Sequence, residues 1–61
     1  MPVVTVEMWE GRTIEQKKQL AKGITLVMTN IGVPEDAIQI IFKDNAKHDW
    51  AIAGKLASES Q

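Results

Sequence analysis

The chain has 61 residues, 44% hydrophobic and 25% charged, with a formal net charge of −1. That composition is ordinary for a globular domain, and a domain this short buries too little surface to be comfortably stable alone. With no cysteine and one histidine there is no disulfide framework and no Cys/His metal site, the slightly acidic balance argues against a nucleic-acid partner, and no run approaches the roughly 20 apolar residues of a membrane span. Small chains without such staples rely on self-association or unusually good packing. No basic-then-apolar leader marks secretion, so the expectation is a soluble, cytoplasmic homo-oligomer.

The sequence opens "MPVV", with a proline directly after Met1. Val3, Val4, Thr5, Val6 and Met8 form a β-branched-rich run, which predicts a strand from about Pro2 to Trp9. Val4, Val6 and Met8 share one face; Val3, Thr5, Glu7 and Trp9 share the other. Gly11 breaks the pattern, and Thr13 with Gln16 three residues later reads as a capping box, with Glu15 suited to the positive end of a helix dipole. Leu20, Ile24, Val27, Met28 and Ile31 recur at helical spacing as one apolar stripe, while Gln16, Lys17, Lys18, Gln19 and Lys22 lie mostly toward water. Gly32 and Pro34 supply the stop.

After "VPEDA", Ile38, Ile40 and Phe42 alternate with Gln39, Ile41 and Lys43, a second strand. Strand, long helix and strand of these lengths make a βαβ unit, with parallel strands and a right-handed crossover. Val3 and Ile41 are apolar on the face away from the helix, and one helix covers only one face of two strands. Other copies of the chain must cover the rest. "KDNAKHDW" reads as a polar loop containing His48, and "AIAGKLASES" as a short hairpin or strand followed by a loose tail.

Removal of Met1, expected when a small residue follows, makes Pro2 a free secondary amine. Burial in an apolar pocket and a nearby cation both disfavour the charged form of such an amine, which brings a neutral nitrogen toward the pH range where a general base works best. Taken alone, a proline that starts a strand is the plainer reading.

The stretches "PVVTVEMWEGRTIEQKKQL", "AIQIIF" and "HDWAIAGKLAS" together resemble the 4-oxalocrotonate tautomerase family, the short-chain members of the tautomerase superfamily. The resemblance covers nearly the whole chain. Its specific parts are the proline after Met1, "EGR" followed by an "EQK" helix start, and the late aromatic-hydrophobic-Gly segment. It implies an α+β fold in one domain over residues 1–61: a β-α-β protomer with two parallel strands, one long helix and a short C-terminal hairpin. It also implies a homohexamer built as a trimer of dimers, a small carboxylate-bearing substrate and no cofactor. The implied activity interconverts 2-hydroxydienoates such as 2-hydroxymuconate with conjugated 2-oxo acids, with Pro2 as catalytic acid and base. By the same resemblance Arg12 holds a substrate carboxylate and Trp50 forms an apolar wall near the amine. Trp9 and Ile52 fall where the family has hydrophobic lining. Where members acting on hydroxymuconate carry a second arginine, this chain has Gln39, which donates a hydrogen bond but brings no charge. The chain also lacks a terminal arginine.

Geometry adds a constraint. From Pro2 to Trp9 an extended strand runs roughly 23 Å, so Arg12 should not reach Pro2 of its own chain, whereas Gln39 lies toward the Pro2 end. Two protomers related by a two-fold axis, first strands antiparallel, would bring Pro2 of one to the Arg12 end of the other. Two other readings stand beside this one: a hydratase or dehalogenase of the same superfamily, for which no water-activating carboxylate is identifiable, and a non-catalytic self-assembling scaffold, motivated by Gln39.

Overall fold

The computed structural model describes residues 2–59. Removal of Met1 and the last two residues of the predicted tail, Ser60 and Gln61, lie outside them. Strand β1 (Val3–Trp9) leads to helix α1 (Ile14–Asn30), a 3-10 turn (Glu35–Ala37) and strand β2 (Gln39–Asn45). A second 3-10 turn (Lys47–Asp49), the short strands β3 (Ala51–Ile52) and β4 (Lys55–Leu56), and a last 3-10 turn (Ala57–Glu59) complete the chain. β1 and β2 pair in parallel, from Val3 opposite Gln39 to Trp9 opposite Asn45; β3 and β4 pair antiparallel. This is the expected β-α-β protomer with a C-terminal hairpin.

Local chemistry accounts for most boundaries. The Gln16 N–H donates to Thr13 Oγ1 at 3.1 Å and the Thr13 N–H to Gln16 Oε1 at 2.9 Å, so both halves of the capping box form. At the other end Gly32 takes φ +101°, and the N–H groups of Gly32 and Val33 turn back to the carbonyls of Thr29 and Met28. β2 runs on through Asp44 and Asn45, further than the apolar alternation predicts. Tertiary bonds hold this polar end: Asp44 meets Lys17 Nζ at 2.9 Å, and Asn45 Nδ2 donates to Glu7 Oε1 at 2.9 Å and to the Met8 carbonyl at 3.3 Å. Lys17 is therefore half-buried, where the helical pattern predicts it toward water.

The hairpin loop is Ala53-Gly54, with φ +54° and +81°, the two positive values of a type I′ turn. An alanine there carries a left-handed backbone cost of about 1–2 kcal/mol. Ala53→Asn, which makes the preferred Asn-Gly pair, is expected to raise stability by about 1 kcal/mol per protomer, read as a higher guanidinium midpoint at fixed protein concentration. Beyond the hairpin, the predicted loose tail is ordered as a 3-10 turn. The Ala57 N–H donates to the Trp50 carbonyl at 2.7 Å, and Ala57 is 4% exposed, the one buried residue among those described.

The apolar positions of α1 divide into two stripes. Ala21, Ile24, Thr25 and Met28 are half-buried, as are Val4, Val6, Met8, Ile40 and Phe42 on one face of the sheet. Leu20, Val27 and Ile31, predicted within the same stripe, lie on its flank; Ile31 is 75% exposed. A single two-stranded sheet is too narrow to cover both stripes. On the sheet's other face Val3 and Ile41 are 40% and 45% exposed.

The protomer is correspondingly open. Its radius of gyration is 14.5 Å and its extents 42 × 23 × 14 Å, where a compact 61-residue chain has a radius of about 10–11 Å. It exposes 4754 Å², against roughly 3,900–4,000 Å² for a compact monomer of its 6.8 kDa. Among the described residues no helix is long and apolar enough to cross a membrane.

Candidate active site

The parallel register sets where the predicted site residues stand. Pro2 is half-buried immediately before β1, and its carbonyl accepts the N–H of Gln39 at 3.0 Å. Gln39 is the exposed first residue of β2 and sits opposite Val3. Pro2 and Gln39 therefore share one end of the sheet, as the strand direction predicts.

Arg12 belongs to the other end. It lies in the connection between β1 and α1, exposed, and lines a shallow groove with Gln16, Gln19 and Leu20. It is held there by what flanks it: the Glu10 N–H donates to the Asn45 carbonyl at 2.9 Å, and the Thr13 cap opens the helix one residue later.

Trp50 is also at that end. Its ring meets Trp9 edge to face, with centroids 5.8 Å apart at 76°, a favoured aromatic arrangement. Its backbone is tied on both sides, donating to the Lys47 carbonyl at 3.3 Å and accepting from Ala57 at 2.7 Å. The 3-10 turn that carries Trp50 back to Trp9 also brings Lys47, whose Nζ lies 5.1 Å from the Trp9 ring centroid. Lys47 is half-buried. Sequence reasoning passes over it, because a lysine in a polar run carries no signal of the ring beneath it; its three-residue distance from Trp50 is the only hint. Ile52 is exposed on β3, and His48 is exposed on the 3-10 turn with Nε2 3.8 Å from Asp49 Oδ1.

The four predicted residues thus form two groups in one protomer: Pro2 with Gln39, and Arg12 with Trp50. The seven steps of extended chain between Pro2 and Trp9 amount to roughly 23 Å, so neither Arg12 nor Trp50 meets Pro2 of the same chain. One end offers Pro2, whose nitrogen is a secondary amine only once Met1 is removed, beside the uncharged amide of Gln39. The other offers a guanidinium suited to a carboxylate, a wall of two indoles and an ammonium group. Among the described residues no three His, Cys, Asp or Glu side chains are grouped to hold a metal ion.

Residues 2–59 match the family model described as "Tautomerase enzyme". A 2-hydroxymuconate tautomerase from Bacillus subtilis (strain 168) is 40% identical over 62 residues, an alignment spanning 100% of both chains. The crystal structure of YwhB, a homologue of 4-oxalocrotonate tautomerase, superposes with a TM-score of 0.90 at 39% identity, covering 95% of this chain and 97% of its own. A heterohexamer 4-oxalocrotonate tautomerase from Chloroflexus aurantiacus J-10-fl gives the same TM-score at 26% identity over 100% of both chains.

Proposed function

This chain belongs to the tautomerase family, among the relatives of 4-oxalocrotonate tautomerase, and from that membership we propose that it isomerises 2-hydroxydienoates of the 2-hydroxymuconate kind to conjugated 2-oxo acids, with Pro2 as its acid and base. In this reading Met1 is removed and residues 1–61 form one domain of a cytoplasmic enzyme needing no cofactor. Six chains assemble as a trimer of dimers, and each site takes Pro2 and Gln39 from one protomer and Arg12 and Trp50 from its neighbour.

The observation that carries the reading is the separation of Pro2 from Arg12 along β1. With first strands antiparallel across a two-fold axis, each Pro2 meets a partner's Arg12 end, and one symmetric contact completes two sites. The open shape of the protomer supports the same conclusion, since the association that covers its apolar faces also builds the sites.

The chemistry is a one-base proton shuttle. The neutral Pro2 nitrogen accepts the enol O–H proton, and the electrons left on oxygen form the C=O bond. The diene electrons shift along the chain, and the protonated Pro2 returns the proton to the far carbon. One proton leaves oxygen and one arrives at carbon, so substrate and product are isomers. Arg12 holds a carboxylate while this happens, and Trp50 excludes water, which keeps the amine uncharged. Gln39 contacts the oxygen end with a hydrogen bond and no charge. Loss of charge stabilisation at one developing oxyanion costs on the order of 10²–10³ in turnover, so 2-hydroxymuconate should turn over more slowly here than in a relative with an arginine at that position.

The test follows ketonisation of 2-hydroxymuconate and of phenylenolpyruvate by absorbance, with protein shown by intact mass to lack Met1. Wild type is expected to convert at least one of them, and Arg12→Ala to lower kcat/KM by about ten- to a hundredfold, mostly through KM. An unchanged KM in Arg12→Ala would sink the carboxylate role, and no conversion of either enol by wild type would sink the activity.

A further inference from the structure

The chain has a single arginine, Arg12, so any second fixed cation in its site must be a lysine. Of the six lysines, Lys18, Lys22, Lys43 and Lys55 are exposed, and Lys43 stands opposite Glu7 in the strand register. Lys17 and Lys47 are half-buried. Lys17 is neutralised by Asp44 at 2.9 Å. Among the described residues no carboxylate oxygen lies within 4.0 Å of Lys47 Nζ, which rests on the face of Trp9 at 5.1 Å instead.

A half-buried cation without a counter-charge is the arrangement a ligand anion completes. The indole face attracts the ammonium group and fixes its place. It takes up none of the three N–H donors in an ordinary hydrogen bond, so they remain available to an acceptor on the outer side. Arg12 follows Trp9 by three residues, which puts its Cα within roughly 11 Å of that of Trp9. Lys47 Nζ rests on the ring of that same Trp9, so both cations belong to one end of the sheet.

We propose that Lys47 binds the second carboxylate of a dicarboxylate ligand whose first carboxylate is held by Arg12, and so sets a preference for diacids over monoacids. This rests on the carboxylate role of Arg12. It moves the second positive charge of the site from the Pro2 side, where Gln39 has none, to the aromatic side contributed by the neighbouring protomer.

A matched pair of six-carbon probes tests it: trans,trans-muconate, with two carboxylates, and sorbate, with one. Titration calorimetry on the assembled protein at fixed ionic strength should show wild type favouring muconate by on the order of tenfold. Lys47→Gln should erase that preference and leave sorbate affinity within about twofold, and Lys47→Arg should keep it. The proposal is overturned if wild type has no preference for muconate, if Lys47→Gln retains it, or if the two ligands weaken equally, which is what loss of packing against Trp9 would give. Arg12→Ala separates the two assignments. If sorbate binding survives that change while Lys47→Gln still erases the muconate preference, Lys47 stands and the role given to Arg12 fails.

Discussion

Tautomerase turnover should fall by about 10²–10⁴ when the Pro2 nitrogen is acylated, the range that a positioned acid–base group contributes. A lysine inserted between Met1 and Pro2 blocks removal of Met1 and turns the amine into an amide, whose nitrogen has no basic lone pair. The change to the fold is small, because Pro2 precedes β1 and its one backbone bond, from Gln39 to the Pro2 carbonyl, does not involve the nitrogen. Circular dichroism and particle mass should therefore match wild type while kcat collapses. Pro2→Ala is gentler: it keeps a terminal amine but loses the ring that fixes its direction, and a fall of about a hundredfold is expected. The pH profile carries the same signature. Only the uncharged amine accepts the enol proton, so kcat/KM should decline as pH falls through the pKa of that amine in the free enzyme. Full activity of the acylated chain, with intact mass confirming the extra residues, would remove Pro2 from the mechanism.

Much of this was legible along the chain, and the parts that were not share a cause. The capping box at Thr13 and Gln16 is a contact between residues three apart, and the faces of β1 follow from a period of two, so both can be read locally. The juxtaposition of Pro2 and Gln39 is equally legible, because a parallel crossover places the two strand starts side by side. The end of β2 reads as loop because Lys43, Asp44 and Asn45 are polar. Asp44 and Asn45 are held in the strand by Lys17, Glu7 and the Met8 carbonyl, which are far away in sequence. The last turn is hidden for the same reason, since Ala57 is fixed by the carbonyl of Trp50.

Trp50 shows this limit within the candidate site. The resemblance gives it a place beside the amine, but its position at the Arg12 end depends on a 3-10 turn returning it to the ring of Trp9. Lys47 rides on the same turn. The helix stripe differs from expectation in width rather than in period: helical spacing identifies apolar positions without saying how wide the facing sheet is. The spacing groups Leu20, Val27 and Ile31 with Ile24 and Met28, yet two strands cover only the inner row.

Ile41→Asp is the sharpest probe of what covers the sheet. Ile41 is 45% exposed in one protomer, on the face that carries no helix and opposite Thr5 in the register. If that face met water, the substitution would cost a few tenths of a kcal/mol, as surface changes usually do. If it meets another copy, each protomer buries an unpaired carboxylate, at a cost of several kcal/mol, repeated in every subunit of the particle. That exceeds what a chain with one buried residue among those described can spare. Sedimentation velocity should then show the particle dissociated, with loss of cooperative thermal unfolding and of all turnover, although Ile41 is on neither end of the sheet and touches no group assigned to the chemistry. Ile41→Val should keep all three properties. An Ile41→Asp protein of wild-type mass and stability would show that this face is open to solvent, and would require the Pro2 and Arg12 ends to be brought together through a different contact.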